Sequence, residues 1–372
     1  MSNPKQVLEK INRQLVCSQL LISIVPYSNI KDFHENRDAL LAAVEFVKHF
    51  DKTKMKQAKE VSRLLQKSID EGRHLRIIKK TDDEIAEKFS KYLHDHPECY
   101  RFGIEFGWLE ELLDCSRLGF PKDLPYQTRI GIGNHAGSLN VEERFLLQDS
   151  FFLLLKTKET FGEFVEYSKK WRKKDNQDKI DDALYYLSYG NQNVAIYSRL
   201  TVLSFFAFFE AFVNSMGYNF SQRNKSSISQ SEYEILQGAK KGHFLSLESK
   251  IEKFPAIIRT DKKPAIITSD LGQCKEPFTS LFGKIKEIRN SSVHYSPLKE
   301  NIWKPPTEWQ NEAEKTAKKC VDAALLFWKA CYPSSVNGPQ YLHDLNFDKN
   351  ISLAGNAMNW KKELDKMEIT EK

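Results

Sequence analysis

Three side chains near the end of one predicted helix have the chemistry needed to break a phosphodiester bond. They are Arg289, Asn290 and His294, and Pro297 follows them. A histidine can take a proton from a ribose 2′-hydroxyl or give one to the departing 5′-oxygen. A guanidinium can hold the phosphate in a bidentate manner and stabilise its growing negative charge, while an asparagine can orient the histidine or contact a phosphate oxygen. The pattern indicates these three residues as catalytic, with no metal and no cofactor.

The same residues also have a structural interpretation. An Arg followed by a His after four to six residues is expected about once by chance in a chain of this composition. A second match, Arg129 to His135, lies in a glycine-rich stretch that we interpret as a loop. Arg289 could equally be a surface salt-bridge residue and His294 a cap at the helix end. The elements around the motif must therefore separate these interpretations.

The hydrophobic pattern is helical nearly throughout, which predicts an all-α fold. The motif helix is predicted over 276–296, with Leu281, Ile285, Ile288 and Ser292 facing inward. A long helix at about 192–218 is rich in phenylalanine, and core packing is the simplest explanation for it, with part of a dimer interface as the alternative. Glycines and prolines make residues 96–140 irregular.

These elements suggest three regions: a helical accessory region at 1–190, a helical bundle at 191–335 and a tail at 336–372. The polar run at 169–179 marks the first boundary. It could be a basic cluster that contacts RNA, although a solvated linker is the more common meaning of such a run.

Composition excludes several classes of protein. The 372 residues include 41% hydrophobic and 12% aromatic side chains with only 16 Gly and 13 Pro, which excludes disordered and collagen-like chains. The longest apolar runs are interrupted by polar residues, so we expect a cytoplasmic protein without a membrane span. The six cysteines are scattered without a CxxC pair and are expected to be reduced. Residues 196–335 carry 20 Lys and Arg against 14 Asp and Glu, which suits a polyanionic partner.

Three segments around the motif point to a known family. The motif stands as Arg289-Asn290-Ser-Ser-Val-His294. The segment SRLTVLSFFAFFEAFVNSMGYNF forms a long aromatic helix, SLESKIEKFPAII precedes the motif, and AEKTAKKCVDAALLFWKACYP follows it. Residues 192–335 thereby resemble the HEPN superfamily, helical bundles with an Arg-x4–6-His motif and a polar residue after the Arg. The resemblance includes nothing before about residue 190.

The resemblance implies a metal-independent endoribonuclease that works as a homodimer. In such proteins two motifs form one cleft, and cleavage leaves a 2′,3′-cyclic phosphate. Carried over to this chain, Arg289 and His294 would be catalytic and Asn290 supporting. Glu210 lies in the opening helix, where the family often keeps a polar residue facing the motif; a buried acid paired with a Lys or Arg is an equal alternative. Some HEPN toxins carry a tyrosine two residues after the histidine, whereas Tyr295 is only one residue after it and is a neighbouring candidate at most.

Two other hypotheses stay open. Inactive HEPN domains serve as modules that bind RNA, nucleotide or a partner protein, but they commonly lose the Arg or the His, and both are present here. The third hypothesis is a helical scaffold with a coincidental motif. The leading expectation is an enzyme of prokaryotic defence or of a toxin–antitoxin system with RNA as its substrate. The large N-terminal region suggests control by an antitoxin or a phage-derived trigger.

Overall fold

The fold is all-α, as the hydrophobic pattern predicts. The computed structural model describes residues 4–23, 30–51, 55–74, 80–112, 127–132, 139–172, 179–240, 243–270, 272–293, 304–334, 338–343, 345–359 and 362. Helices make up 78% of these residues and strands 3%. Contacts divide the chain into two compact units, Met1–Val141 and Glu142–Lys372.

The first unit is a helical bundle with a small antiparallel sheet. Its longer helices pack through α1, which contacts the next three, and Gln14 of α1 bridges to Ser62 and Gln66 of α3 by hydrogen bonds of 2.8 Å. The short strands run in the order β1-β2-β3 within the region predicted to be irregular. The helices are α1 Pro4–Ser23, α2 Ile30–Lys48, α3 Met55–His74, α4 Asp82–Asp95, α5 Cys99–Phe102 and α6 Phe106–Leu112, and the strands are β1 Ile104–Glu105, β2 Arg129–Ile130 and β3 Leu139–Asn140.

The second unit is a larger bundle built around one 44-residue helix, α8. A two-stranded antiparallel ribbon lies between two of its shorter helices. Its helices are α7 Glu142–Trp171, α8 Ile180–Arg223, α9 Gln230–Leu236, α10 Leu247–Ile258, α11 Phe278–Ser280, α12 Lys286–Val293, α13 Pro306–Cys331, α14 Gln340–His343 and α15 Phe347–Met358, and its strands are β4 Ala239–Lys240 and β5 His243–Phe244.

Helices α7 and α8 form a long antiparallel pair whose register is fixed by hydroxyl groups. The Ser150 and Ser204 hydroxyls lie 2.8 Å apart, and those of Thr157 and Thr201 lie 2.9 Å apart. Both threonines are fully buried, so their hydroxyls must find partners within the protein. Thr201 Oγ1 also donates a hydrogen bond of 2.8 Å to the Tyr197 carbonyl, which leaves the Thr157 hydroxyl to donate to Thr201. The boundary predicted near residue 190 falls inside α8, and α7 belongs to the same unit because of this pairing.

The phenylalanines of α8 form the core of the second unit, which confirms the core assignment of this helix. Phe205, Phe208, Phe209 and Phe212 are at most 1% exposed and pack against α7, α10 and α13. By length and composition α8 is also the one helix of the described chain that could cross a membrane, but half of its most apolar window is buried within the fold. Since core helices pass the same test, the length of α8 carries no argument for a membrane location.

The motif helix differs from the single helix predicted over 276–296. It begins with α11, passes through a π-helical turn at Leu281–Ile285 and continues as α12. Gly283 has non-helical dihedral angles in this turn. The predicted inward residues Leu281, Ile285 and Ile288 are buried, but Ser291 is buried in place of the half-exposed Ser292.

Candidate functional site

The candidate site lies where α12 meets α8 and α10. Helix α12 presents two neighbouring polar side chains, Arg289 and Asn290, which are both half-buried. Arg289 Nη1 donates a hydrogen bond of 2.9 Å to Asn290 Oδ1. This bond uses one of the five N–H donors of the guanidinium and fixes the asparagine oxygen toward the arginine.

An aromatic ring supports the guanidinium from α8. The Arg289 Cζ atom lies 5.5 Å from the centroid of the Phe206 ring, and Phe206 is itself buried, with 5% of its surface exposed. A cation over a phenyl face is stabilised by the ring quadrupole. Among the described residues the partners of Arg289 are this ring and Asn290, and none is a carboxylate. The surface salt-bridge interpretation of Arg289 therefore has no support in the described part of the chain.

Glu210 lies one turn further along α8 on the same face as Phe206. Its charge acts on Lys250 of α10: burial lowers the pKa of Lys250, and the Glu210 carboxylate opposes this effect. Lys250 is only 9% exposed, and its Nζ atom donates a hydrogen bond of 2.8 Å to Oδ1 of Asn214, four residues after Glu210. Glu210 is half-buried and acts on Lys250 through its charge, while the hydrogen bond of the lysine goes to Asn214. Glu210 also lies one turn from Phe206, the residue beneath Arg289, so both alternatives for Glu210 stay open.

A third polar contact joins α10 to α12. Lys286 donates a hydrogen bond to Glu248, within an ion pair. Burial alone would raise the pKa of Glu248, but the hydrogen bonds from Lys286 and from a backbone amide hold that pKa below its usual value. Because Lys286 lies three residues before Arg289 and four before Asn290, it shares their side of α12.

These contacts bring two acidic groups, Glu210 and Glu248, and three basic groups, Lys250, Lys286 and Arg289, of α8, α10 and α12 into one region. Arg289 and Asn290 lie together there, and Glu210 lies on the adjoining turn of α8. His294 and Tyr295 lie outside the described residues, so their positions relative to Arg289 are not defined. Of the second Arg-to-His match, Arg129 forms an ion pair of 2.7 Å with Glu105 in the sheet of the first unit, and His135 lies outside the described part.

Two lysines of this region, Lys250 and Lys286, were missed by the sequence analysis. Lys250 had a detectable signal, because it interrupts the apolar stripe that Leu247, Ile251 and Phe254 form on α10. A lysine in such a stripe needs a buried polar partner, and Asn214 supplies it. Lys286 carried no signal, since its partner Glu248 is 38 residues away in sequence.

Arg289 is the group of this region that is suited to an anionic ligand. The Arg289 guanidinium has donors left that can bind two oxygens of a phosphate, whereas Lys286 is engaged by Glu248 and Lys250 by Asn214. In the described ranges no three His, Cys, Asp or Glu side chains come close enough to hold a metal ion. No family model, no curated protein and no solved structure matches the chain.

Proposed function

We propose that the chain is a metal-independent endoribonuclease of HEPN type, acting in the cytoplasm in prokaryotic defence or a toxin–antitoxin system. The observation that carries the proposal is the placement of Arg289 over Phe206 beside Asn290, with Lys286 on the same helix. A catalytic arginine must be held in one position before the substrate arrives, because preorganised charge stabilises a transition state at the lowest cost.

Each motif residue has a defined step in this proposal. His294 removes the proton from the ribose 2′-hydroxyl, and the 2′-oxygen attacks the phosphorus. The bond between phosphorus and the 5′-oxygen breaks, and a protonated histidine supplies the proton to the departing oxygen. Arg289 binds the phosphate oxygens while Asn290 holds the guanidinium. The products are a 2′,3′-cyclic phosphate and a 5′-hydroxyl.

Regulation belongs to the same proposal. Two copies of the chain would place their motifs in one cleft, as the HEPN resemblance implies. The unit at Met1–Val141 would sense an antitoxin or a phage-derived trigger and restrain or release this cleft. Both statements rest on the resemblance and on the presence of a separate N-terminal unit.

Substitution of Arg289 tests the role of the guanidinium. RNA cleavage is measured in excess EDTA for the wild type, Arg289→Ala, Arg289→Lys and the exposed control Arg223→Ala, which removes the same charge at the end of α8. Loss of an oxyanion-type donor costs about 100- to 1,000-fold in rate, and lysine does not restore bidentate binding. We expect this loss for both Arg289 variants and near wild-type cleavage for Arg223→Ala. Equal cleavage by Arg289→Ala and Arg223→Ala would contradict the proposal.

A further inference from the structure

A groove lined by aromatic rings lies far along the α7–α8 pair from the polar residues described above. It has a volume of about 260 Å³ and is lined by Phe164, Tyr167 and Trp171 of α7 and by Tyr186 and Leu187 of α8. We name it the aromatic groove. Tyr167 is 51% exposed and Tyr186 is 69% exposed, so both rings are accessible to a ligand.

A basic strip follows the groove in sequence at the end of α7. Lys169, Lys170 and Arg172 are all exposed there, and the exposed Glu163 and Glu166 precede them on the same helix. The Lys170 Nζ atom lies 5.9 Å from the centroid of the Tyr167 ring. Arg172 lines an adjoining cleft of about 240 Å³ that shares Phe164 and Trp171 with the aromatic groove. Asp181 and Asp182 lie in the first turn of α8, where carboxylates complement the helix dipole.

The groove also has a polar edge. Thr160, Glu163 and Asn193 line it beside the rings, and all three carry hydrogen-bonding groups. Its volume is below the range of about 300–1,000 Å³ typical of sites for drug-sized ligands. The flat apolar walls fit a single planar ring system, and the polar edge of the groove fits a ring with polar groups at its own edge. The nearby cations fit a phosphate linked to that ring.

We propose that the aromatic groove binds a base of single-stranded RNA, with the adjoining phosphates on the basic strip of α7. Stacking between Tyr167 and Tyr186 accepts any base, because every base has a π-face. The cations Lys169, Lys170 and Arg172 supply charge complementary to the backbone. The choice of RNA as the ligand rests on the proposed function, and the groove would hold a part of the substrate remote from the cleaved bond.

Binding is tested in a His294→Ala background with excess EDTA, so that cleavage cannot interfere. The probe is a fluorescein-labelled oligouridylate of about 12 nucleotides, within the site sizes known for stacking proteins, and its anisotropy is measured. Tyr167→Ala and Tyr186→Ala are each expected to weaken binding about 5- to 150-fold. Tyr186→Phe, which keeps the ring, and Tyr100→Ala, which removes an exposed tyrosine of the first unit, are expected to bind as the parent does.

The salt dependence of binding tests the basic strip separately. Arg172→Ala is expected to reduce the slope of log affinity against log salt by about 0.7, the value for one lost phosphate contact on a single strand. Unchanged affinity of both tyrosine variants would overturn the inference, as would the absence of RNA binding by the parent. A change in association state of Tyr186→Ala without a change in RNA affinity would also overturn it and would make the groove an interface between copies.

The outcomes separate this inference from the proposed function. If the tyrosine variants lose RNA binding while the wild type cleaves no RNA, the groove binds RNA and the ribonuclease proposal fails. If the wild type cleaves RNA through His294 while the tyrosine variants bind normally, the ribonuclease proposal stands and the groove inference fails.

Discussion

Replacing one buried carboxyl, Glu143→Gln, should change how the stability of the second unit depends on pH. Glu143 lies in the first turn of α7 and is 6% exposed. Its Oε1 atom accepts hydrogen bonds from the Ser215 hydroxyl at 3.2 Å and from the Tyr341 hydroxyl at 3.3 Å. It therefore ties α7 to α8 and to α14. A glutamine keeps an oxygen acceptor for both hydroxyls but cannot ionise.

The size of the effect follows from the pKa of Glu143. Burial raises this pKa from 4.5 to about 7, and the hydrogen bonds from Ser215 and Tyr341 only partly oppose the rise. Between these two pH values the folded state holds a proton that the unfolded state releases, so stability falls as the pH rises. The stabilisation of the folded state by the protonated Glu143 is complete below pH 4.5 and is lost as the pH rises through about 7. The difference between the pKa of Glu143 in the unfolded and in the folded state corresponds to about 3 kcal/mol in the free energy of unfolding.

The assay is urea unfolding followed by pulsed hydrogen–deuterium labelling of α8 peptides, which reports the second unit alone. The difference in unfolding free energy between wild type and Glu143→Gln is measured from about pH 5 to about pH 8. We expect the wild type to lose up to about 3 kcal/mol relative to the variant over this range. Glu142→Gln, at the exposed neighbouring position, should follow the wild type. Parallel curves for wild type and Glu143→Gln would refute the reasoning.

Two further predictions concern packing and charge in the second unit. At Gly217 an added Cβ would lie 2.4 Å from Phe254 Cε2, so Gly217→Ala should lower the unfolding free energy by about 1–3 kcal/mol or more. Gly162 of α7 faces open space, so Gly162→Ala should raise the unfolding free energy by about 0.5–1 kcal/mol. Urea titration of both variants gives the comparison, and equal effects would be inconsistent with the packing described. The electrostatic interaction between Glu210 and Lys250 should appear as a coupling of about 1 kcal/mol in a double-mutant cycle with Glu210→Gln and Lys250→Met. If the effects of the two substitutions are additive, Glu210 and Lys250 do not interact, and the alternative in which Glu210 faces the motif is left.

The periodic parts of the fold could be predicted from the sequence because burial follows helical spacing. Leu281, Ile285 and Ile288 are buried as their spacing requires, and the phenylalanines of α8 form the core. The π-helical turn at Gly283 was not predictable, since a glycine within a helical pattern does not reveal how the backbone bends around it. The short strands β1, β2 and β3 were missed because two residues are too few to show an alternating pattern.

The candidate site was predictable only in its local part. Arg289 and Asn290 are neighbours in sequence, so their proximity follows from the helix alone. Phe206 beneath Arg289, and Glu248 beside Lys286, come from helices distant in sequence. Their meeting is a result of tertiary packing, which spacing within one helix does not encode.

The chemical nature of the RNA ends is the most direct test of the central claim. Purified wild type and His294→Ala are incubated with a defined single-stranded RNA in excess EDTA, and the fragments are analysed by mass spectrometry. We predict cleavage by the wild type alone, with 2′,3′-cyclic phosphate and 5′-hydroxyl ends. Equal cleavage by both proteins, or fragments that carry 5′-phosphate ends, would contradict a metal-independent ribonuclease centred on Arg289 and His294.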